Sequence, residues 1–426
     1  MRRRALLLRP LPARARAGAD TMTWAATRAA GLTRLERFLP NAGSRYARLR
    51  NHDFGPDQRH NVSGLSPYLR HRLILEAEVL DAVLGRFAPS TAEKFVQELY
   101  WRSYWKGWLE HHPSAWTRYR DTVTDGLARL GDDAPLRRCY QDAVSGRTGI
   151  EPFDAWAREL TDTGYLHNHA RMWTASIWLF TLELPWALGA DWFLRHLLDG
   201  DPASNTLSWR WVAGLHTRGK TYLARPDNIL RYAGRRFDGS AATPAGLDRL
   251  AARGTPLTEP EPPARIDPVW PDRLTPPAER FGLLLGEDDL HLDTELIPAA
   301  VAALPQAPRS PEPTGSAAAA FTTAAIGDAL ARAGACWRVP CESLTAPAAA
   351  GAWAGRHGLK EVVMAYAPVG PGGDAQRTAL ASLTDAGVAC RIFLRDHDRR
   401  AWPHAARGYF ALAKRIPALV APPQAD

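Results

Sequence analysis

The chain has 426 residues, 46% of them hydrophobic, which suffices for two domains with real cores. A formal net charge of +8 favours a polyanionic partner, nucleic acid first. Four cysteines (Cys139, Cys336, Cys341, Cys390) show no CxxC pair and no disulfide-style density, which fits free thiols in a reducing cytoplasm.

The first residues, MRRRALLLRPLPARARAG, carry Arg9, Pro10 and Pro12 where a signal peptide needs an apolar core. Residues 1–21 are expected to be a disordered basic tail, with Met22 a possible alternative start. Residues 22–237 read as helical. Ala29, Leu32, Leu35 and Leu39 stand at helical spacing and the run stops at Pro40. In YARLRNHDFGPDQRHNVSGLSPYL (46–69), Ser63 and Ser66 flank Gly64 and Leu65 ahead of a helix near Pro67. Free N–H groups and the positive end of the helix dipole there would receive a phosphate; a plain serine cap fits the same residues.

A helix from about Thr91 to His111 puts Glu98, Trp101, Arg102 and Trp105 on one face. A carboxylate, a guanidinium and two indoles suit the stacking of bases and the reading of their edges. His111 and His112 have no further ligands nearby and read as surface residues. The stretch TGYLHNHARMWTASIWLFTLELPWALGADWFLRHLLDGDPASNTLSWRW (163–211) is helical in spacing, broken by a loop at 199–206. Bulky aromatics with a few polar groups suggest a pocket for a large flat ligand, against the alternative of a tryptophan-rich core. The apolar run Thr174–Leu188 is too short to span a bilayer and contains Glu183 and Pro185, so no membrane segment is expected.

GLHTRGKT (214–221) fits the P-loop pattern, but Pro226 forbids the helix such a loop needs. Residues 238–278 are rich in proline, alanine and charge and read as a linker or an extended strap. A smaller α/β domain is expected over 279–420. FGLLLG (281–286), EVVMAYAP (361–368), CRIFLRD (390–396) and, more weakly, CWRVP (336–340) are short apolar runs separated by alanine-rich helices, the pattern of a parallel sheet. Pro305–Ser316 reads as a surface loop. PVGPGG (368–373) is a glycine-rich loop without nucleotide-binding spacing.

TGIEPFDAWARELTDTGY (148–165), TGYLHNHARM (163–172), LLDGDPASN (197–205) and SWRW (208–211), in this order and spacing, resemble the flavin-binding domain of the DNA photolyase/cryptochrome family. The resemblance runs from about Tyr46 to Tyr232. It implies a mainly α fold, an all-helical FAD-binding domain followed here by the α/β domain. The family carries its α/β antenna domain in front, and the role of this one, with any second antenna chromophore, stays open.

For non-covalent FAD the resemblance implies Tyr46, the turn Ser63, Gly64, Leu65 and Ser66 at the diphosphate, Phe95 and Arg102. It adds Arg171 paired with Asp199, then Gly200, Asp201 at the polar edge of the ring, and Asn205 at N5. For DNA it implies Arg50 on a phosphate, Glu98 and Asn168 on the damaged bases, Trp101 and Trp211 stacked on them, with His169 and Met172 alongside. Trp209 and Trp186 match the first two members of the electron-transfer chain; its third member is not readable. Val62 and Tyr165 depart from the family pattern. With only Cys139 in this region no iron–sulfur cluster, and no other metal, is expected. The implied function is light-driven splitting of pyrimidine dimers in DNA, a carbon–carbon lyase working as a cytoplasmic monomer. Asn205 and the two stacking tryptophans favour repair. The alternatives are a cryptochrome-like blue-light sensor, favoured by the domain order, and a DNA-binding helical protein without flavin.

Overall fold

The computed structural model describes residues 24–237, 243–275, 277 and 280–421; the expected basic tail lies outside them. Among the described residues, twelve α-helices build the first part. They are α1 (Arg28–Phe38), α2 (Ser44–Leu49), α3 (Ser66–Arg70), α4 (Glu76–Leu84), α5 (Pro89–His111) and α6 (Ser114–Asp132). α7 (Ala134–Val144), α8 (Glu151–Thr163), α9 (Asn168–Phe180), α10 (Trp186–His196), α11 (Pro202–Val212) and α12 (Pro226–Phe237) follow. Their starts obey local chemistry: Thr27, Asp133 and Asp201 cap α1, α7 and α11 through their side chains, as short polar residues do at orphan N–H groups. α8 stops at Gly164, whose φ of 67° suits glycine. α12 starts at Pro226, so no helix follows GLHTRGKT directly. Trp156, Trp173, Trp178 and Trp192 are fully buried between these helices.

The second part is a five-stranded parallel sheet in the order β3-β2-β1-β4-β5. Its strands are β1 (Phe281–Leu285), β2 (Ala300–Ala303), β3 (Cys341–Ser343), β4 (Glu361–Ala365) and β5 (Ala389–Phe393). α13 (Ser316–Trp337), α14 (Ala350–Arg356) and α15 (Pro371–Asp385) connect them. Alternation along β1 splits the core: Leu283 and Leu285 pack with α13 and the helical part, while Leu284 joins Trp353 and Leu383 on the opposite face. The buried core of the helical part and one face of the sheet are therefore continuous.

Three expectations are corrected. CWRVP is not a strand: Cys336 and Trp337 end α13, and β3 begins at Cys341. β2, Ala-Val-Ala-Ala, had no strand signal, because alanine is a weak strand former; Val301 and Ala303 pack on the side of α13, and Ala300 and Ala302 on the side of Trp353. Pro305–Ser316 is not a free surface loop. Arg309, 4% exposed, donates to the carbonyls of Leu194 and Leu197 and to Thr322 Oγ1, and Gly315 N donates to Arg195 O. The proline-rich segment is a strap. Leu257 N donates to Ala213 O, Ile266 N to His111 O and Leu394 N to Asp272 O, and Glu259 holds the buried Arg210 at 2.5 Å. After β5 the chain returns to α5 through α16 (Asp396–Ala401) and α17 (Tyr409–Ala413), ending at α18 (Ile416–Val420). This return and the strap bury His111 and His112, read above as surface residues. His111 bonds through its two ring nitrogens to Ile266 O and Trp402 O.

Candidate active site

The DGD loop is built by caps. His167 caps α9, its Nδ1 accepting from His169 N at 3.1 Å, and Asp201 caps α11 by accepting from Ser204 N at 2.8 Å. Arg171, in the first turn of α9, donates through Nη2 to both oxygens of Asp199, at 2.9 and 3.0 Å, and through Nε to Leu166 O. Asp201 is buried and faces Arg102 at 3.5 Å and Lys106 at 3.4 Å from α5. Burial alone would raise its pKa; Lys106, then Arg102, overcome that and hold the carboxyl far below the usual range. Asn205, also buried, donates its amide to Ala190 O at 2.8 Å. Gly200 packs between Leu194 and Arg309, and its carbonyl accepts from Arg70 Nε at 3.0 Å.

A second group surrounds the Ser63–Ser66 turn. Ser63 Oγ accepts from Leu65 N at 3.3 Å, and Gly64 has a φ of 61°. No serine caps α3, since Leu65 occupies the cap position without a side-chain bond. An added Cβ at Gly64 would stand 2.9 Å from Arg34 and 3.4 Å from Trp24. Trp24 stacks on Tyr165 with centroids 4.8 Å apart, and Arg34 lies over Trp24. Arg59 and Arg171 lie over Tyr165 at 4.5 and 5.5 Å. Aromatic faces are thus lined with guanidinium groups next to the turn. Tyr165 ties this group to Arg171 and Asp199.

The third group is the rim of α5. Tyr46 is wedged between Phe38 and Phe95, with centroids at 5.8 and 5.2 Å. Arg50 pairs with Glu98, so the guanidinium expected on a DNA phosphate holds the carboxylate expected on a base. Burial raises the pKa of Glu98, with Arg50 opposing. Trp101 is half-buried and stacked on Tyr409 of α17, centroids 3.5 Å apart and planes 9° apart. Tyr409 Oη donates to Gln97 O at 3.0 Å. Trp211, half-buried, stacks on Tyr222 at 5.7 Å. His169 stacks on Trp173 at 4.2 Å and shares hydrogen bonds with Asn51 O and Tyr222 Oη. Asn168 is exposed at the start of α9 and Met172 half-buried one turn on. Trp209 meets the rings of Phe193 and Trp178; the ring beside Trp186 is Tyr119.

Sequence reasoning missed Trp24, Arg34, Arg59, Lys106 and Tyr409. Lys106 was findable, one turn past Arg102 on α5. The others reach the site from distant parts of the chain, and Tyr409 comes from beyond the sheet.

Residues 95–242 match the family model described as the FAD binding domain of DNA photolyase. The helical half is related to DNA photolyases. The chain is 36% identical over 180 residues to a deoxyribodipyrimidine photo-lyase of Streptomyces griseus, covering 42% of this chain and 37% of that protein. It is 34% identical over 209 residues to one from Thermus thermophilus, covering 49% and 47%. The chain thus spans less than half the length of these curated relatives. Among solved structures, a class III photolyase from Agrobacterium tumefaciens aligns with a TM-score of 0.39 at 24% identity, over 54% of this chain and 52% of that one. A Synechocystis cryptochrome aligns with a TM-score of 0.40 at 24% identity, over 52% and 46%.

The donor set fits a flavin dinucleotide. Arg102 Nε and Nη2 are buried and face Glu76 at 3.8 Å and Asp201 at 3.5 Å without a hydrogen bond among the described residues, and Ser204 Oγ beside Asp201 also lacks one. Orphan buried donors are costly unless a ligand or water takes them. No helix among the described residues is long and apolar enough to cross a membrane.

Proposed function

We propose that this chain binds FAD in its helical part and splits pyrimidine dimers in DNA under blue light. The observation that supports it best is the convergence of three separate segments at the DGD loop. The Arg171–Asp199 pair, the capped and ionised Asp201, and Arg102, with two nitrogens that make no hydrogen bond, meet there, in the part of the chain that matches a photolyase FAD-binding domain. Reduced FAD, when bound, would supply the light-driven electron that breaks the dimer.

The chain's own residues do the rest. Arg171 and Asp199 hold one another, so neither charge is left unpaired beside the ring. Asp201, kept ionised by Lys106 and Arg102, offers an acceptor edge. The Ser63–Ser66 turn, with Arg34 beside it, offers N–H groups and positive charge to the diphosphate. Glu98, Asn168, Trp101 and Trp211 form the substrate side, where the indoles stack on bases. Arg50 keeps Glu98 oriented. We place the protein in the cytoplasm as a monomer, in keeping with four free cysteines.

One observation favours a second reading, a blue-light sensor without repair: Tyr409 already covers a face of Trp101. The test is direct. Purified protein should be yellow and release FAD on denaturation. In its reduced form it should restore dimer-containing oligonucleotides under blue light and not in the dark. A colourless protein sinks both readings; a yellow protein without repair leaves the sensor.

A further inference from the structure

The tryptophan that follows the DGD loop has an indole neighbour the family pattern does not supply. Trp209, 2% exposed, meets Trp178 edge-on at 6.2 Å. Trp178, fully buried, meets Tyr140 of α7 at 5.8 Å. Tyr140 is half-buried, and its hydroxyl accepts from Arg195 Nη2 at 3.4 Å. The three rings form a continuous file from the buried end of α11 to the surface. Gly189 on α10 makes room for it. An added Cβ there would stand 2.8 Å from Cε2 of Trp178 and closer still to Cη2 of Trp209, so any larger residue would drive the two indoles apart. Trp178 is further fixed by donating its Nε1 to Pro185 O at 2.9 Å. Trp186, which the resemblance would make the next member, meets Tyr119 at 5.7 Å.

We infer that Trp178 is the redox partner of Trp209 and that Tyr140 is the outer donor of a route to solvent. This rests on the proposed binding of FAD, the light-excited oxidant that takes the first electron. The balance is one electron per absorbed photon. Trp209 gives an electron to the oxidised flavin and recovers one from Trp178. Trp178 recovers one from the Tyr140 phenol. Tyr140, partly accessible and beside the Arg195 cation, releases its hydroxyl proton to water and is left as a neutral tyrosyl radical. A thiol reductant in solution returns one electron and one proton to it. Phenol oxidation is coupled to proton loss, so the partly accessible Tyr140 is a better terminus than Tyr119, which is 2% exposed.

The test uses the full-length protein carrying FAD, illuminated with blue light in dithiothreitol, while the oxidised-flavin absorbance is followed. Trp178→Phe should slow photoreduction at least tenfold at unchanged flavin content, and Trp186→Phe should slow it less. Frozen samples illuminated without thiol should show a tyrosyl radical by electron paramagnetic resonance, absent in Tyr140→Phe. That variant removes one surface hydroxyl and keeps the question answerable if Trp178→Phe misfolds. Wild-type photoreduction in Trp178→Phe, or an unchanged radical signal in Tyr140→Phe, overturns the inference. Wild-type protein that holds FAD but is not photoreduced overturns it too, while protein that holds no FAD overturns the reading beneath it.

Discussion

Two sets of arginines flank the DGD loop, and they differ in how completely they are used. On the sheet side, Arg70 meets Glu287 and Asp288 together with the Gly200 carbonyl. Arg72 meets Glu76, Asp289 and Asp398. Arg395 grips Asp289 and Asp293. The Arg70 and Arg72 side chains are 1% and 2% exposed. On the helical side, Arg171 holds one carboxylate with 23% of its side chain exposed, Arg50 holds one with 29% exposed, and Arg102 faces Glu76 at 3.8 Å and Asp201 at 3.5 Å without a hydrogen bond to either. A cation buried among several carboxylates joins parts of a fold; one that holds a single carboxylate and keeps part of its side chain exposed is open to a ligand. The contrast separates the glue from the site more clearly than residue type does, since both sides are built from Arg, Asp and Glu.

The largest effect should come from the glue. Arg72→Met leaves Glu76, Asp289 and Asp398 facing each other in the interior, and breaking one partner of a buried pair costs about 3–5 kcal/mol. Arg72 also holds a φ of 47°, a conformation that side chains rarely adopt and that its partners sustain. The urea midpoint should fall by a corresponding amount, whereas Arg171→Met, at the open site, should cost far less. Equal losses would erase the distinction.

The next effect is a pH dependence at the same boundary. Glu110 of α5 is buried and accepts from Tyr366 Oη and Val369 N, both at 2.7 Å. Burial raises its pKa to about 7, with Val369 and Tyr366 opposing. The folded state therefore holds a proton that the unfolded chain releases near pH 4.5. Stability from this group is full below about pH 4.5 and is lost as pH rises through about 7, by up to about 3 kcal/mol at 1.36 kcal/mol per unit. Glu110→Gln should remove that slope between pH 5 and 7.5. Denaturation curves in which the variant keeps the wild-type slope would place the proton elsewhere.

What the sequence revealed follows the same division. The open site was legible because its members lie in three compact motifs: Glu98 to Arg102 on one helix face, Asn168 to Arg171 in one turn, and Asp199 to Asn205 in one loop. Local spacing fixes their geometry. The glue was not legible. Arg70, His71 and Arg72 look like any basic loop until Glu287, Asp288 and Asp289 arrive from more than two hundred residues away. Three of the five strands were found from apolar runs. β2 lacked one because three of its four residues are alanine, and β3 was set too early because Cys336 and Trp337 belong to a helix. Tyr409 could not be assigned to Trp101, since no pattern links α17 to α5.

The smallest effects should divide the open site itself. Trp211 stands clear of the return segment, with only Tyr222 against it among the aromatic rings of the described residues, whereas Trp101 already has Tyr409 on one face. A base stacked on an indole is worth about 1–3 kcal/mol, roughly 5- to 150-fold in affinity. Trp211→Ala should therefore lower the preference for dimer-containing over undamaged DNA by a factor in that range, with the salt dependence unchanged. Trp101→Ala should lower it too, and Tyr409→Ala should move it in a direction that reveals which face of Trp101 the base uses: weaker preference if Tyr409 braces the indole, stronger if it blocks it. Arg50→Ala acts differently. Arg50 is committed to Glu98, so its removal should weaken dimer preference through the loosened carboxylate more than it flattens the salt slope. A free phosphate contact would instead lower the slope by about one and affect damaged and undamaged DNA alike. Binding titrations at several salt concentrations distinguish the two. A pure change of slope would show that DNA breaks the Arg50–Glu98 pair when it binds.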